Sequence, residues 1–323
     1  QLSLGVSGVA PTFTNFDTIV IASGQVLGLT TGSFTQASGA LMTGGGSFAV
    51  TSGAALRLLN GAVLSNVANS GLMEVSGASS IGGSFSMNSG AFLRIGAIGA
   101  QTAASTLTLA SGFTNSGVIQ LTNQTASPQA VDATLQLSAG TLTNAVGGLI
   151  TTAAGNGGGT RSIVGPVLNQ GLLEIAPGAA GQLSITGNFT GSSGTVAVDL
   201  GGLAPVTQYD QLTVSGTATL GGTLNVGLFG GFTPTPGSSF DVLTAGTRTG
   251  TFATVNAAPG LQAAPSYSAT GATVLGPTAG LVNAWTNATG GNWSAAANWS
   301  QGRTPIATDT VSIAAAGTYT VTM

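Results

Sequence analysis

Thirteen side chains carry all of the formal charge in this 323-residue chain. The acids are Asp17, Glu74, Asp132, Glu174, Asp199, Asp210, Asp241 and Asp309, and the bases are Arg57, Arg94, Arg161, Arg248 and Arg303. Without histidine, cysteine or lysine, a Ser-His-Asp triad, a Cys-His pair, a Ser-Lys dyad, a Schiff base and a histidine- or thiolate-rich metal site are all excluded. Carboxylate chemistry remains. Glycosidases work with two carboxyl groups roughly 5 to 9.5 Å apart, and some β-helix enzymes that cut polysaccharides cluster aspartates. The closest pair in sequence is Asp199 and Asp210, separated by a Gly-Gly and proline turn. The plainer role for Asp210 and Asp241 is to accept turn amides at strand starts, as aspartate commonly does. Glu74 can meet an arginine one coil later, such as Arg94, as an outward ion pair of small energetic weight. The expectation is a non-catalytic chain with no cofactor and no metal. GNGGGT at 155 to 160 lacks the aspartate of calcium-loaded β-rolls, and it also lacks the Lys-Ser/Thr and following helix of a phosphate loop.

Two other groups could recognise a ligand. Trp285, Trp293 and Trp299 lie close together beside asparagines, and aromatic faces stack on sugars. The competing role is a cap in which large side chains close the end of an apolar core, and that role is preferred. Asn69, Asn88, Asn115, Asn144 and Asn169 open successive turns. They can be read as a polar recognition face, but a ladder that hydrogen-bonds one coil to the next is the better account. Sequons at Asn123, Asn188, Asn287, Asn292 and Asn298 are expected by chance in so Asn- and Thr-rich a chain.

The elements that would position these residues are strands. Apolar residues make up 42 per cent of the chain and recur at every second position, whereas only 4 per cent of residues are charged, so a packed β structure is favoured over disorder. Helical stripes with caps are almost absent. No apolar run reaches the roughly 18 residues of a membrane-spanning helix. Five scattered arginines make no phosphate-tracking stripe, so nucleic acid is not an expected partner. The absence of cysteine forbids disulfides and suits a secreted bacterial protein stabilised by a long hydrogen-bonded stack.

Self-similarity appears at two scales. The shorter is a turn followed by an alternating strand, as in ANSGLMEV, MNSGAFLRI, TNSGVIQL, TNAVGGLI, LNQGLLEI and TGSSGTVAVDL, whose strand-opening glycines are Gly71, Gly90, Gly117, Gly148, Gly171 and Gly194. A spacing of about 20 to 30 residues, with turns that call for glycine or asparagine in left-handed conformations, predicts a coiled parallel sheet. At about 25 residues per coil the chain would make on the order of 13 coils, a rod of roughly 60 Å. The longer repeat sets PTFTNFDTIVIASGQVLGL, from Pro11, against PIATDTVSIAAAGTYTVT, from Pro305; Asp17 aligns with Asp309 at an offset of 292 residues. The expected organisation is solenoid coils over 1–200, a β-rich module end over 201–280 whose pattern turns hairpin-like between Tyr209 and Pro277, and the start of a further tandem module over 281–323, the boundary falling near Gly276 to Ala284. Gln1 opens a strand-like run with no signal peptide in view, which suggests a processed product or a piece cut from a tandem array.

YDQLTVSGTATLGGTLNV at 209 to 226 resembles a segment that recurs in the surface-exposed passengers of bacterial autotransporters and in large repetitive adhesins. Asn292-Trp293, Pro305 and Asp309-x-Val311-x-Ile313 resemble the opening of solenoid modules in the same class. The likeness covers a minor part of the chain closely. It implies an extracellular, bacterial-surface setting and an adhesive or matrix role, with no membrane insertion of this segment. The fold expected is all-β: a right-handed parallel β-helix, or β-solenoid, forming an elongated rod. The function expected is that of a structural repeat of a secreted fibre, partnered end to end by copies or modules of itself. A glycan-binding adhesin module is the first alternative, and a polysaccharide-cleaving β-helix the second.

Overall fold

Short apolar-alternating runs separated by Gly, Asn and Ser cannot bury their inward faces alone, and in the computed structural model they do so by stacking in parallel, coil upon coil. The structure describes residues 2–4, 10–96, 98–99, 103–125, 129–153, 158–278, 280, 282–307 and 309–323. One side of the rod is an eleven-stranded parallel sheet running from Thr12–Asn15 to Thr254–Ala257. Its inward column reads Phe13, Phe34, Leu56, Met73, Leu93, Ile119, Ile150, Leu173, Val196, Leu224 and Val255, each in register with the next. From Leu56 to Leu173 every member is 0 per cent exposed, so this column is the centre of the core. Coil length varies between 17 and 31 residues across register-matched pairs, because the corners absorb insertions while the strands keep register.

The other two sides belong to one 21-stranded sheet. They join at Gln211–Leu220, whose first half pairs with Gln182–Thr186 and whose second half pairs with Phe189–Gly191. The third side stacks Leu27, Phe48, Val67 and Phe85 inward. Phe85 then meets Phe113 edge to face at 4.9 Å.

The stretch from Tyr209 to Pro277 differs from its expected hairpin character. Gln211–Leu220, Thr223–Leu228 and Ser239–Thr249 do not pair with their sequence neighbours; each lies parallel to the coil below. Gly221-Gly222 turns a corner rather than a hairpin, since Gly222 N donates to Ser192 O and Thr223 N to Gly194 O. A half-buried strand has period two in either kind of sheet, so alternation could not separate the two cases. Antiparallel pairing begins only where Ser239–Thr249 meets Gly271–Leu275, and Gly271–Leu275 meets Ser266–Ser268. That hairpin covers the Ser239–Thr244 part of the last edge, and the first side of the stack is eleven strands deep between Thr12 and Ala257.

Residues 282–323 form parallel pairs of their own, Val282–Ala284 with Thr310–Ser312 and Gly291–Asn292 with Val321–Thr322, in two sheets that are separate from the long ones. The strand Thr310–Ser312 stands at the same 292-residue offset from Thr18–Val20 that the repeated motif shows.

Candidate functional site

The asparagines occupy the corner at the end of the third side. In register, one column contains Val50, Asn69, Met87, Asn115, Asn144 and Asn169. Asn115, Asn144 and Asn169 are fully buried, and their carboxamides form a chain: Asn115 Nδ2 donates to Asn144 Oδ1 at 2.8 Å, and Asn144 Nδ2 to Asn169 Oδ1 at 2.8 Å. Each also ties the strand above, Asn144 donating to Leu172 O at 3.0 Å and Asn169 to Thr195 O at 3.0 Å. Asn69 shares the column and the burial, and it accepts from Gly71 N at 3.1 Å. Asn88 stands outside the ladder. Met87 fills its place, and the strand alternation turns Asn88 outward, where it donates to Ser70 Oγ at 2.8 Å. The buried carboxamides present nothing to a ligand.

The carboxylates sort by depth. Asp210 is 0 per cent exposed and accepts from Gly181 N at 2.8 Å and from Asp199 N at 2.7 Å. Burial pushes its carboxyl up to about 8, against the downward pull of those amides, with the charges of Asp199 and Glu174 adding to the rise. Asp199 in turn accepts from Gly178 N at 2.8 Å. The Asp199–Asp210 pair therefore closes turns between coils, and an enclosed Asp210 cannot meet a solvent-borne sugar. Burial also raises Glu174, helped by the charge of Asp199. Glu174 lines a groove of about 580 Å³ with Phe92, Val118, Gln120 and Pro177, which offers one carboxylate where glycoside cleavage takes two. Asp241 accepts from Thr273 Oγ1 at 2.6 Å, and backbone hydrogen bonding by Thr160 lowers Asp132. Among the described residues no group of three or more acids could hold a metal ion. Of GNGGGT, residues 155–157 lie outside the described residues.

The arginines serve coil contacts. On the outward face of the eleven-stranded sheet, Glu74 sits between Arg57 at 2.9 Å and Arg94 at 3.1 Å, and Arg94 continues to Gln120 at 3.2 Å. Arg161 carries a role that the sequence reading missed. It is 4 per cent exposed, and its guanidinium donates to the carbonyls of Ala153, Val131, Thr160 and Gly158 at 3.0 to 3.1 Å. Burial lowers it to about 10, so it stays charged at neutral pH and gathers one corner of the rod. The only signal was its position directly after the glycine-rich run.

The tryptophans meet as a cluster. Trp285 and Trp299 are each 2 per cent exposed and cross edge to face at 5.1 Å, while Trp293, half-buried, meets Trp299 at 4.6 Å. Trp285 Nε1 donates to Asn287 O at 2.6 Å and Trp299 Nε1 to Trp293 O at 2.8 Å, so both buried indoles are satisfied. Two of the three rings are thus enclosed rather than laid out as a platform. Arg303 holds Asp309 in a two-pronged ion pair at 2.6 and 2.8 Å, which keeps that carboxyl down at about 2. Of the sequons, Asn123 is fully buried and donates to Gln129 O and Gly158 O, out of reach of a glycosyltransferase in the folded chain.

At the opposite end lies an apolar cavity of about 290 Å³ lined by Ile19, Val20, Val26 and Leu27. Beside it Phe16 is 79 per cent and Val20 is 68 per cent exposed, unusual for large apolar side chains. Among the described residues, Thr18–Val20 pairs with Leu41–Thr43.

A scan against family models found no match to this chain, and a search of curated proteins found none either.

Proposed function

We propose that this chain is a structural, non-catalytic repeat of a secreted bacterial surface fibre, acting as adhesin, sheath or matrix filament. One observation carries the reading: the Asp-Thr strand of the first coil recurs 292 residues later, again as a parallel-paired strand. A rod whose opening motif returns after its own capping hairpin is suited to serial repetition. The resemblance to autotransporter passengers and repetitive adhesins supports the extracellular setting. The depth of Asp210, the turn-closing role of Asp199 and the single carboxylate in the Glu174 groove favour a mechanical over a hydrolytic role.

In such a fibre, backbone ladders run along the axis and share load among many hydrogen bonds, and each repeat couples mainly to its neighbours. The position pairs Phe13 to Val255 span ten coil steps, about 24 residues each, so a 292-residue module corresponds to about 12 coils and an axial repeat of roughly 60 Å. Electron microscopy of the native material tests this. Filaments with an axial repeat near that length are expected, and dispersed particles with no axial periodicity would end the proposal.

A further inference from the structure

The outward face of the eleven-stranded sheet carries two columns side by side. One is apolar: Ala55, Leu72, Phe92, Val118, Leu149 and Leu172 follow one another in register, coil by coil. All six are half-buried, although they point away from the core. The other column, two residues further along each strand, reads Arg57, Glu74, Arg94, Gln120, Thr151 and Glu174. Further coils stack on both sides of these six, so neither column lies at an end of the sheet.

The charges of the second column are balanced within the chain at one end and not at the other. Glu74 is held between Arg57 at 2.9 Å and Arg94 at 3.1 Å, which leaves that end with one positive charge in excess. Arg94 is occupied, since it also reaches Gln120 and lies over the Phe92 ring at 5.2 Å. Arg57 has donors to spare: its side chain is 49 per cent exposed, and among the described residues only its Nε is engaged. At the far end Glu174 has no cation. Each of the other seven acids accepts at least one hydrogen bond, whereas among the described residues the Glu174 carboxylate accepts none. The groove of about 580 Å³ opens beside it, over Phe92, Val118 and Leu149. Arg57 and Glu174 stand five coil steps apart, about 24 Å, so they cannot meet within one chain.

We propose that this face pairs with the same face of a second copy of the chain, the two rods lying antiparallel about a two-fold axis that runs along the strands, between those of Phe92 and Val118. Arg57 then faces the partner's Glu174 at both ends of the contact, Glu74 faces the partner's Thr151, and Arg94 faces the partner's Gln120. The apolar column closes on itself, with Phe92 over the partner's Val118, Leu72 over the partner's Leu149 and Ala55 over the partner's Leu172, so that Leu72 and Phe92 fill the partner's groove. A two-fold contact is made by one self-complementary patch, and these two columns have that property. The register is guarded on both sides: a slide of one coil sets Glu74 against the partner's Glu174 in one direction and Arg94 against the partner's Arg94 in the other. With the small Ser33, Thr35, Thr195 and Ala197 of the flanking coils, the contact covers roughly 500 Å² of each face, less than the about 800 Å² of a standard stable interface. One pair of modules therefore associates weakly and reversibly, and modules repeated along a fibre add up by avidity.

This contact is lateral, so it is tested apart from the end-to-end repetition of the fibre reading. Sedimentation velocity of the full 323-residue chain at neutral pH and low salt, across a wide range of concentration, reads the dimer. The parent chain is expected to dimerise as concentration rises and to lose dimer as salt is added. Arg57→Glu and Glu174→Arg each place like charges opposite one another, and each is expected to weaken association about tenfold or more. An equal mixture of the two variants restores both ion pairs in a mixed dimer and is expected to regain the parent's association, which a folding defect in either variant would not allow. A parent chain that stays monomeric throughout, or a mixture that associates no better than its components, would overturn the pairing. Native filaments with the module-length repeat alongside that result would leave the fibre standing and remove the lateral contact alone. Restored association in the mixture without native filaments would do the reverse.

Discussion

At the scale of single residues, the groups that look most like chemistry are the ones most firmly committed to structure. Asn144 both accepts from Asn115 and donates to Asn169 and to Leu172 O, all out of water. Replacing it with alanine strands several buried polar groups, each costing about 1–3 kcal/mol. Asn144→Ala is therefore expected to lower stability by about 3 kcal/mol, read from the urea midpoint and slope, while the exposed Asn88→Ala stays within about 0.5 kcal/mol of the parent. Asp210 makes a pH-dependent contribution. Its folded value near 8 lies above the ordinary 3.8, so between those limits the folded chain keeps a proton that the unfolded chain releases. Stability is thus expected to fall as pH rises from about 4 to about 8 and to level off above that, and Asp210→Asn should flatten this slope. Denaturation midpoints taken across that range for both chains provide the check.

At the scale of the coil, glycine is needed for a reason other than the left-handed turn that the repeats suggest. Of the six strand-opening glycines, only Gly90 has a positive φ, at 80°. At Gly71, Gly117, Gly148, Gly171 and Gly194 the constraint is the coil below: a Cβ on Gly117 would stand 2.3 Å from Ala91 O, and one on Gly71 would stand 2.3 Å from Thr51 O. The corner presses backbone on backbone, and any side chain forces the coils apart. Gly117→Ala is expected to cost roughly 1–3 kcal/mol by this overpacking, more than Gly90→Ala, where strain alone opposes the change and nothing lies within 4 Å of the added carbon. Parallel thermal melts of the two variants decide it. The Arg57–Glu74–Arg94 ladder acts at the same scale. It neutralises charges that stacking would otherwise bring into like-sign contact, at the small worth of partly exposed ion pairs.

At the scale of the whole molecule, the rod has few charges to keep it dispersed. A net charge of −3 and an isoelectric point near 4.4 leave hydroxyls and carboxamides to hold the surface in water. Association of the rods is expected to peak near pH 4.4 and to decline on either side, measured as light scattering at constant protein concentration. The antiparallel hairpin Ser266–Ser268 with Gly271–Leu275 covers the Ser239–Thr244 part of the last strand of the large sheet, so parallel stacking does not continue over that stretch.

Alternation of apolar residues, turn spacing and the 292-residue recurrence were enough to establish strands, coils and their order, because burial of one strand face is written directly in period two. The same pattern could not say whether Gln211–Leu220 and Thr223–Leu228 pair with each other or with the coil below, since both arrangements bury the same side chains. Likewise the Asn-x-Gly turns announced a ladder, but Met87 rather than Asn88 holds the fourth coil's place in it, a difference of one residue that only register decides. Arg161 was invisible as a clasp because its partners are backbone carbonyls from Val131 to Thr160, which carry no sequence signature. The carboxylates were legible as residues and not as environments. The depth of Asp210 follows from how neighbouring coils close over it, and that closure is a property of the stack rather than of any stretch of chain.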